Sequence, residues 1–600
     1  MDEVPSTPTF EVVRLPFSSE SVSTWSQLRG KSSNWPVVYV LDDRHAKGKS
    51  SASRKVYVGE TLGAVGRMKQ HLSSPSKQGM TTARVIIDET FNKSVCLDLE
   101  SQLIQLLSGD GAYEVLNLNH GVVDADYFDR ERYRVAFEEI FAELREEGVF
   151  TRPVTEIVNG DLYKLSPFKA LTDDQGIAVE LILESLLDDL KTGEQSTSVI
   201  QGEPGTGKTV VAIYLQKLVA DIARGRDADD PDEDSPYSEF FTSENQALLR
   251  DLRVAFVIPQ QALRKSVERV FAKTPGLGKA SVLSPFDVGK ASEHFDLIVV
   301  DEAHRLNQRA NQASASQNND FSRINQSLFG ADDSSKTQLD WIIAKSTHRI
   351  LLVDPAQSVR PADLPLVEVA RITSVARSDN RFFALRSQMR VKAGDDYVGY
   401  VRAVLGGDSE LRPQAFEGYD LRFFDDLREM REQIAHRNEE VGLSRLVAGF
   451  AWPWKSKKNR DAIDIEIDGL QLQWNSVQVD WVGSARSPQE VGSIHTVQGY
   501  DLNYVGVVIG PDLRWDSEFG RTRFERSSYF DIRGKQNNKR LGRKYRDDEL
   551  LEYVRNIYAV LLTRGIQGTY VYVADPELRE HLRRYFSQTW VPLGSAGRSG

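Results

Sequence analysis

The sequence has a single cysteine, Cys96, among its 600 residues. One cysteine excludes an internal disulfide framework and a zinc site built from several cysteines. The sequence also lacks any apolar run of about 18 residues, the length that a membrane-spanning helix needs. Its N-terminus lacks the basic-then-apolar profile of a secretion signal. We therefore expect a cytoplasmic protein without a membrane partner.

Basic residues are in deficit, because 75 Lys and Arg stand against 87 Asp and Glu and give a net charge of -12. This balance argues against a protein that coats nucleic acid with its whole surface, but it leaves a local basic channel open. Hydrophobic residues make up 40% and charged residues 27%, which is typical of a folded globular protein. At this length we expect about three compact units.

The N-terminal part predicts a small α/β unit. Residues 1–34 mix Ser, Thr and Pro with scattered apolar positions and are interpreted as a leader. The next segments predict a domain at 35–125 and a helical connector at 126–160, in which apolar residues recur at helical spacing. The predicted segments are strands at Val37–Leu41, Lys55–Gly59 and Ala83–Ile87, and helices around Met68, at Leu97–Leu107 and around Tyr133–Leu144.

Beyond residue 160, short β-branched runs alternate with helical stretches. Such alternation is typical of parallel α/β sheets, and the remaining length suits two of them. An acidic segment, 227–234, is interpreted as a solvated loop. The predicted strands are Ser198–Gln201, Val254–Pro259, Leu297–Val300, Ile350–Val353, Val505–Ile509 and Tyr570–Val573.

The segment Gly202–Thr209 matches the complete phosphate-loop pattern, between a predicted strand and a predicted helix. Gly202, Gly205 and Gly207 allow backbone N–H groups to turn toward a phosphate, where the helix N-terminus adds a favourable dipole. Lys208 would reach the β- and γ-phosphates, and the Thr209 hydroxyl would ligate Mg²⁺. A glycine-rich turn before a structural helix is the alternative for this segment.

A second segment, Phe295–His304, predicts an apolar strand that ends in two carboxylates. Asp301 is the candidate to hold the Mg²⁺ ion, and Glu302 is the candidate to orient or deprotonate the attacking water. Alone, this pair would be ordinary surface, but together with the loop at Gly202 it predicts a nucleotide-hydrolysing site.

The order of these and further segments resembles superfamily-one helicases. The resemblance implies ATP as cofactor, with Gln175 reading the adenine, Gln357 sensing the γ-phosphate, and Arg390 and Arg564 reaching the phosphates from a second lobe. The segment Val254–Leu263 resembles the strand and turn that contact single-stranded nucleic acid. The alternative for each arginine is a surface ion pair.

Within that superfamily, the segment Val447–Trp454 and the pair Trp474 and Asn475 are most similar to the Schlafen-like DNA/RNA helicase family. The resemblance covers about residues 160–590 and implies two RecA-like parallel-sheet lobes, at 161–375 and 376–600. It implies a nucleic-acid partner, with DNA favoured over RNA, and leaves protein partners or self-association open. Trp452 and Trp454 are interpreted as packing residues before base-stacking ones. The basic residues of 533–546 suit a solvated segment as well as a nucleic-acid contact.

The 35–125 segment resembles the GIY-YIG nuclease family. Its two triplets are matched by Val37-Val38-Tyr39 and Tyr57-Val58-Gly59, although two valines replace the family's glycine and isoleucine. The resemblance implies a phosphodiester-cleaving site with Mg²⁺ or Mn²⁺ held by a glutamate. The alternative is a small core packed with two tyrosines. The candidate residues are Tyr39, Tyr57, Arg67, His71, the metal ligand Glu100, and Asn117.

Two functions are consistent with these features. In the first, an ATP-dependent helicase or translocase is fused to a metal-dependent endonuclease, in defence against foreign DNA or in DNA repair. In the second, a nucleotide-gated switch binds nucleic acid or protein without unwinding, and the nuclease-like unit is an inert adaptor.

Overall fold

The computed structural model describes residues 10–28, 34–43, 54–118, 127–225, 237–310, 312, 314–387, 391, 396–407, 410–477, 481–497 and 500–586. These residues belong to two compact units. The first unit is drawn from Met1–Lys191, Val210–Leu252 and Ser266–Ala280, and the second from Thr192–Thr209, Arg253–Lys265 and Ser281–Gly600. Among the described helices, none combines the length and apolar character that crossing a bilayer requires.

The first unit contains a five-stranded sheet in the order β1-β4-β2-β3-β5. Its strands are β1 (Phe10–Pro16), β2 (Val37–Asp42), β3 (Arg54–Thr61), β4 (Thr82–Asp88) and β5 (Tyr113–Val115). Its helices are α1 (Ser19–Leu28), α2 (Ala64–Ser73), α3 (Lys93–Asp110), α4 (Arg130–Glu146), α5 (Val154–Asn159), α6 (Asp161–Lys164) and α7 (Asp173–Thr192). Most of α8 (Lys208–Arg224), all of α9 (Ser243–Leu249) and the end of α10 (Gln261–Lys273) also belong to it.

Strands β2 and β3 form an antiparallel pair in which Tyr39 lies opposite Gly59. Because side chains alternate between the two faces of a strand, Tyr39 and Tyr57 lie in one apolar cluster with Met68 of α2. The intervening residues, such as Val58, lie in another cluster with α3. The predicted strands and helices of this region all lie within observed ones.

Strand β1 lies within the segment predicted as a leader. It pairs antiparallel with β4 from Phe10 to Pro16, and α1 follows it. The leader prediction at 1–34 does not account for these elements. Charged residues at Glu11 and Arg14 break up the apolar pattern of an edge strand, and its signal is therefore weak.

The second unit contains two fully parallel sheets. The first lobe has a six-stranded sheet in the order β11-β6-β10-β9-β7-β8. Its strands are β6 (Ser196–Gly202), β7 (Val254–Val257), β8 (Val282–Leu283), β9 (Phe295–Val300), β10 (Ser346–Val353) and β11 (Phe382–Leu385). Its helices include α11 (Pro285–Lys290), α12 (Ala315–Phe329), α13 (Gln338–Lys345) and α14 (Leu366–Ser378).

The second lobe has a five-stranded parallel sheet in the order β12-β20-β17-β13-β16. The strands of this part of the chain are β12 (Asp420–Phe423), β13 (Ser444–Ala448), β14 (Ile465–Ile467), β15 (Leu470–Leu472), β16 (Val491–Ser493), β17 (Leu502–Ile509), β18 (Leu513–Asp516), β19 (Arg521–Phe524) and β20 (Gly565–Val573). The helices are α15 (Asp396–Gly406), α16 (Leu427–Val441), α17 (Ile494–Val497), α18 (Asp547–Leu562) and α19 (Pro576–Phe586). All six predicted strand runs overlap observed strands, and the prediction of two parallel sheets is confirmed.

Sheet order places the candidate nucleotide site. In the first lobe, β6, β10 and β9 are neighbours, so the loops that follow them leave the same edge of the sheet. These loops carry Gly202–Thr209, Asp354–Gln357 and Asp301–Glu302. Residues that are far apart in the sequence therefore meet at the carboxyl edge of one sheet.

A segment of the second lobe, residues 526–546, reaches the first lobe, and we call it the arm. The amide of Asn538 donates to the backbone oxygen of Arg309 at 3.3 Å. The Tyr545 hydroxyl donates to the backbone oxygen of Pro361 at 3.2 Å. From α18, just beyond the arm, Asn556 donates to the backbone oxygen of Ser358 at 3.0 Å. Arg540 of the arm also pairs with Asp332 of the first lobe at 3.5 Å. Three side chains of the arm thus contact the first lobe, and Asn556 adds a contact beside them.

Candidate functional site

The phosphate loop between β6 and α8 has the backbone that phosphate binding requires. Gly205 and Gly207 have φ values of 92° and 76°, in the left-handed region that glycine adopts without strain. At Gly202, an added Cβ would lie 2.3 Å from the Thr206 hydroxyl oxygen. Each of the three predicted glycines is therefore needed by the fold of the loop.

The Lys208 ammonium is buried within this loop. Its Nζ donates to the backbone oxygens of Gly202 at 2.7 Å and Glu203 at 2.9 Å. It also lies 3.6 Å from a carboxylate oxygen of Asp354, which follows β10. A cation held at the mouth of the loop and only partly neutralised is suited to receive a polyphosphate.

Thr209 and Asp301 meet at the start of α8. The Thr209 hydroxyl donates to Asp301 Oδ2 at 2.7 Å, and the Glu302 amide donates to Asp301 Oδ1 at 2.9 Å. Hydroxyl and carboxylate oxygens are ligands that Mg²⁺ accepts in nucleotide sites. Burial and the neighbouring Glu302 raise the pKa of Asp301 to about 6, so a cation here would favour its ionised form.

Glu302 occupies a strained backbone position. Its φ is 53°, a conformation that is uncommon for residues other than glycine and is often found at functional sites. His304 Nδ1 accepts the Asp354 N–H at 3.1 Å, so in the neutral ring the proton lies on Nε2. That nitrogen is 3.3 Å from Glu302 Oε2. Burial alone would raise the pKa of Glu302, but His304 and Lys208 outweigh it and hold the pKa below its usual range.

A line of polar contacts joins the two lobes at this site. The Gln357 amide donates to Asp354 Oδ2 at 2.7 Å, and Arg564 Nη2 donates to Gln357 Oε1 at 3.2 Å. Arg564 is 1% exposed and precedes β20 of the second lobe. Through Asp354, this line continues to Lys208 of the phosphate loop.

These residues fit a Mg²⁺–nucleotide in their chemistry. The loop provides N–H donors and an ammonium for phosphate oxygens, and Thr209 and Asp301 provide oxygen ligands for the metal. Glu302 Oε2 is buried, and among the described residues it has only the long contact with His304 Nε2 at 3.3 Å. A buried carboxylate oxygen that is incompletely hydrogen-bonded is typical of a site that binds a ligand or water.

Two predicted residues are placed elsewhere or cannot be placed. Gln175 lies in the first turn of α7, in the first unit, where its Oε1 accepts the Thr172 N–H at 3.1 Å. It is fully buried, and its assignment as an adenine reader stays a prediction. Arg390 lies outside the described residues, as do the acidic segment 227–234 and parts of the domain predicted at 35–125.

A groove of about 980 Å³ lies between the lobes of the second unit. Pro259 and Gln260, from the turn predicted to contact nucleic acid, are part of its wall. Two acidic residues also line it, Asp320 beside Lys290 at 2.7 Å and Asp531 beside His495 at 3.1 Å. Its cationic and aromatic wall residues are Arg264, Lys290, Arg305, Arg360, Lys457, Arg533, Lys535, Phe286, Phe450, Trp454 and Phe530.

The two open interpretations of the second lobe are resolved differently. Trp452 and Trp454 both pack against the apolar cluster beneath β13, and only Trp454 also lines the groove. In the basic segment, Arg543 and Arg546 pair with acidic residues of α18. Arg533 and Lys535, in contrast, line the groove. The segment is therefore partly self-neutralised and partly directed to the groove.

The first unit brings Tyr39, Tyr57 and His71 together. The Tyr39 hydroxyl and His71 Nε2 are 2.8 Å apart, and the Tyr57 ring lies 5.0 Å from the His71 ring. A Cβ at Gly59 would lie 2.3 Å from the Tyr39 hydroxyl oxygen, so this strand position requires glycine. Burial, with the charges of Lys77 and Arg67, lowers the pKa of His71 from 6.5 to about 3. The ring is therefore neutral near pH 7.

The surroundings of this cluster are partly cationic. The Lys77 ammonium lies 4.3 Å from the centre of the Tyr57 ring, and Arg67 lies on α2 near His71. Asn117 clasps β3: its Oδ1 accepts the Val58 N–H at 3.1 Å and its Nδ2 donates to the Val58 oxygen at 2.7 Å. Asn117 thus fixes the strand between Tyr57 and Gly59.

Glu100 lies on α3, whose apolar residues pack on the opposite face of the sheet from the two tyrosines. The described residues contain no group of three or more His, Cys, Asp or Glu side chains arranged to hold a metal ion. A metal at Glu100 would therefore depend on other oxygen ligands, such as phosphate or water.

Several residues of the second unit escaped the sequence analysis. His304 and Asp354 connect the acidic pair with Gln357, and Arg305 and Arg360 line the groove. The position of His304 and Arg305 directly after the acidic pair was a usable signal. Arg360 had none, because only folding brings it beside Arg305.

Comparison with known families supports this arrangement. The family model of the Schlafen group 3 DNA/RNA helicase domain matches residues 195–575. This chain belongs to that family. The match begins one residue before β6 and ends two residues after β20, so the Schlafen group 3 helicase domain contains both parallel sheets. The predicted helicase family is thereby confirmed.

The chain is also similar to a curated relative and to three solved structures. An uncharacterized protein of Saccharomyces cerevisiae is 23% identical over 414 residues, which are 64% of this chain and 83% of the relative. The helicase nonstructural protein 10 of an arterivirus is 12% identical, with a TM-score of 0.27, over 66% of this chain and 64% of its own. The DEAD-box helicase Mss116, bound to ssRNA and UDP-BeF, is 12% identical, with a TM-score of 0.30, over 72% of this chain and 75% of its own. Pif1 helicase from Bacteroides, in complex with ADP-AlF3 and ssDNA, is 8% identical, with a TM-score of 0.24, over 66% of this chain and 93% of its own.

Proposed function

We propose that this protein is an ATP-driven motor that moves along or unwinds nucleic acid. The observation that carries the proposal is the line of contacts from Lys208 through Asp354 and Gln357 to Arg564. It joins the phosphate loop of one lobe to an arginine of the other. A change in the nucleotide at one end would therefore alter contacts in both lobes.

In this proposal each side chain of the site has a separate role. Bound Mg²⁺ would neutralise phosphate charge, with Thr209 and Asp301 as its protein ligands. Lys208 exchanges its backbone acceptors for phosphate oxygens. Glu302 orients a water and accepts its proton, with His304 fixing the carboxylate. Arg564 stabilises charge on the transferred phosphoryl group, which Gln357 senses.

The groove is the proposed path of the nucleic acid. It combines cationic side chains, which contact phosphates, with aromatic rings such as Phe450 and Trp454, on which bases stack. This arrangement supports a single strand as the substrate, because stacking on a side chain needs an unpaired base. Both DNA and RNA have the required phosphates and bases.

Steady-state ATP hydrolysis tests the proposal. We expect single-stranded DNA or RNA to raise turnover, and Glu302→Gln to lower it about 10²- to 10³-fold, the usual contribution of a general base. Glu368→Gln is the matched control, because Glu368 pairs with Arg371 on the surface of α14. Turnover that ignores both polynucleotides would favour the nucleotide-gated switch, and no turnover at all would refute the motor.

We also propose that the first unit cleaves a phosphodiester. The contact between Tyr39 and His71 and the Asn117 clasp on Val58 support this proposal, since both match the residues of the GIY-YIG resemblance. Neutral His71 positions the Tyr39 hydroxyl by their hydrogen bond, because a ring with a pKa of about 3 is too weak a base to hold a proton near pH 7. Fusion to a motor would keep a cutter at high effective concentration on one strand, which suits defence against foreign DNA or repair.

Plasmid cleavage with Mg²⁺ or Mn²⁺ tests this second activity. We expect Tyr39→Phe and Tyr57→Phe each to lower cleavage at least about 10²-fold, because each removes a group assigned to proton transfer. Glu131→Ala, exposed on α4 beside Arg134, is the control. Cleavage that persists in both variants, or is absent from the intact protein, would make the first unit an adaptor.

A further inference from the structure

Two guanidinium groups in the groove wall have donors without acceptors. Arg305 is 2% exposed, yet its Nε and Nη1 have no hydrogen-bond acceptor among the described residues, and the same is true of Arg360 Nε. Both arginines line the groove. Buried charged donors are almost always paired, so this pair of side chains suits an anionic ligand.

Neighbouring carboxylates only partly compensate these charges. Asp363 uses Oδ2 to accept the N–H groups of Val359 and Arg360, at 3.2 and 3.1 Å. Its Oδ1 lies 3.8 Å from Arg360 Nη2, beyond hydrogen-bond length. Burial and the like charge of Arg360 lower the pKa of Arg305 to about 10, against the opposing effect of Asp363. An incoming anion would relieve this repulsion.

The groove determines which anion fits. Planar guanidinium groups match the oxygens of a phosphate, and the same cavity has aromatic side chains and further cations. Asn475 Oδ1 and Gln260 Oε1, also in the groove wall, are buried without a donor within the described ranges. A ligand with phosphate oxygens, flat rings and N–H or O–H donors satisfies all of these groups, and a nucleotide chain has each of them.

Arg305 is also one turn away from the hydrolytic carboxylate. Its backbone N–H donates to the Glu302 oxygen at 2.9 Å, which closes the 3₁₀ turn Ala303–Arg305. Glu302 holds its left-handed backbone conformation at the start of this turn. A displacement of Arg305 toward the groove would therefore move Glu302, because the turn is short and a second backbone bond, from Leu306 N–H to the Ala303 oxygen at 3.1 Å, also holds it.

We propose that Arg305 and Arg360 form a subsite for one phosphodiester group of a single strand, and that Arg305 positions Glu302 when this subsite is filled. This inference rests on the proposed motor function. In this proposal, binding of a strand in the groove stimulates ATP hydrolysis directly through residues 302–305, and the lobes do not have to move first.

The test uses the full chain and fluorescein-labelled oligothymidylate or oligouridylate at several salt concentrations. For Arg305→Gln and Arg360→Gln, we expect the slope of log affinity against log salt to fall by about 0.7, the value for one phosphate contact on a single strand. We expect Arg305→Lys to keep the slope, because its charge remains. Arg371→Gln, in a surface ion pair on α14, should leave the slope unchanged.

The ratio of strand-stimulated to unstimulated ATP turnover separates positioning from binding. At saturating strand, we expect this ratio to fall at least fivefold in Arg305→Gln and Arg305→Lys and less than twofold in Arg360→Gln. An unchanged slope in Arg305→Gln, or an unchanged ratio in both Arg305 variants, would overturn the proposal. If Arg305→Gln does not fold, Arg305→Lys and Arg360→Gln decide it. Failure of the intact protein to bind strand or hydrolyse ATP would refute the motor itself.

Discussion

The nucleotide site of the second unit and the tyrosine cluster of the first unit bury polar groups in opposite ways. The nucleotide site buries charges: Lys208, Asp301 and Arg564 are each at most 6% exposed. The tyrosine cluster buries neutral groups, because Tyr39 bonds to a His71 ring whose pKa lies far below neutrality. Buried charges need a counter-charge or a charged ligand, whereas the neutral pair of Tyr39 and His71 needs none.

The two sites also differ in how they are assembled. The nucleotide site draws on loops after β6, β9 and β10 and on Arg564 before β20, so it exists only when two sheets are in place. The tyrosine cluster comes from β2, β3 and α2, within 33 residues of sequence from Tyr39 to His71. Disruption of any one of these segments should therefore abolish the function of the nucleotide site. The tyrosine cluster should lose its function when its local packing is lost.

The largest effect is expected at the contact between the lobes. Arg564→Gln removes the guanidinium that joins Gln357 and, in our proposal, stabilises the transferred phosphoryl group, so ATP turnover should fall about 10³-fold, as for other arginine fingers. The KM for ATP should change much less. Turnover and KM are measured beside Arg371→Gln. A loss below tenfold would place Arg564 among packing residues and weaken the contrast between the sites.

A smaller effect is expected from the protonation of His71. The unfolded chain binds this proton near pH 6.5 and the folded chain only near pH 3, so the unfolded state is favoured as pH falls between these values. At pH 4 the β2–β3 hairpin should be about 3 kcal/mol less stable than at pH 7. Hydrogen exchange of its amides measures this, with His71→Gln as the variant that lacks the titrating ring. An equal pH dependence in both proteins would show that His71 is already charged in the fold.

The smallest effect is expected at Gly59, where the tyrosine cluster leaves no space. Gly59→Ala would place a methyl group 2.3 Å from the Tyr39 hydroxyl oxygen, and such overpacking costs about 1–3 kcal/mol. Gly66→Ala, on α2 with no atom within 4 Å of the added Cβ, is the control and should be neutral or stabilising. The two melting temperatures are compared in the full chain. Equal melting temperatures would mean that the Tyr39 side chain shifts at little cost to make room for the methyl group.

Much of the fold could be predicted because its strands are apolar and regular. Strands such as β9 and β10 are buried along almost their whole length, and a fully buried parallel strand has a continuous β-branched pattern in the sequence. Strand β1 escaped because only one residue of Phe10–Pro16, Leu15, is buried. An edge strand whose apolar residues are interrupted by Glu11 and Arg14 resembles a loop in sequence.

The residues of the nucleotide site that are neighbours in the sequence could be predicted. Lys208 and Thr209 belong to one continuous pattern, and so do Asp301 and Glu302. The contact between Gln357 and Arg564 spans 207 residues of sequence, and only the resemblance to a family suggested it. The meeting of Arg305 and Arg360 in the groove could not be predicted, because the chain must fold before their donors are left without acceptors.

The arm described above has a mechanical consequence. Asn538 and Tyr545 donate to backbone oxygens of the first lobe, and Arg540 pairs with the Asp332 side chain, so two of these three contacts do not depend on which side chains lie opposite. If the lobes separate during each cycle, the arm must either release and re-form these bonds or bend like a spring fixed at both ends. An arm that stays attached would limit how far the lobes separate, and it would link them mechanically through residues 526–546.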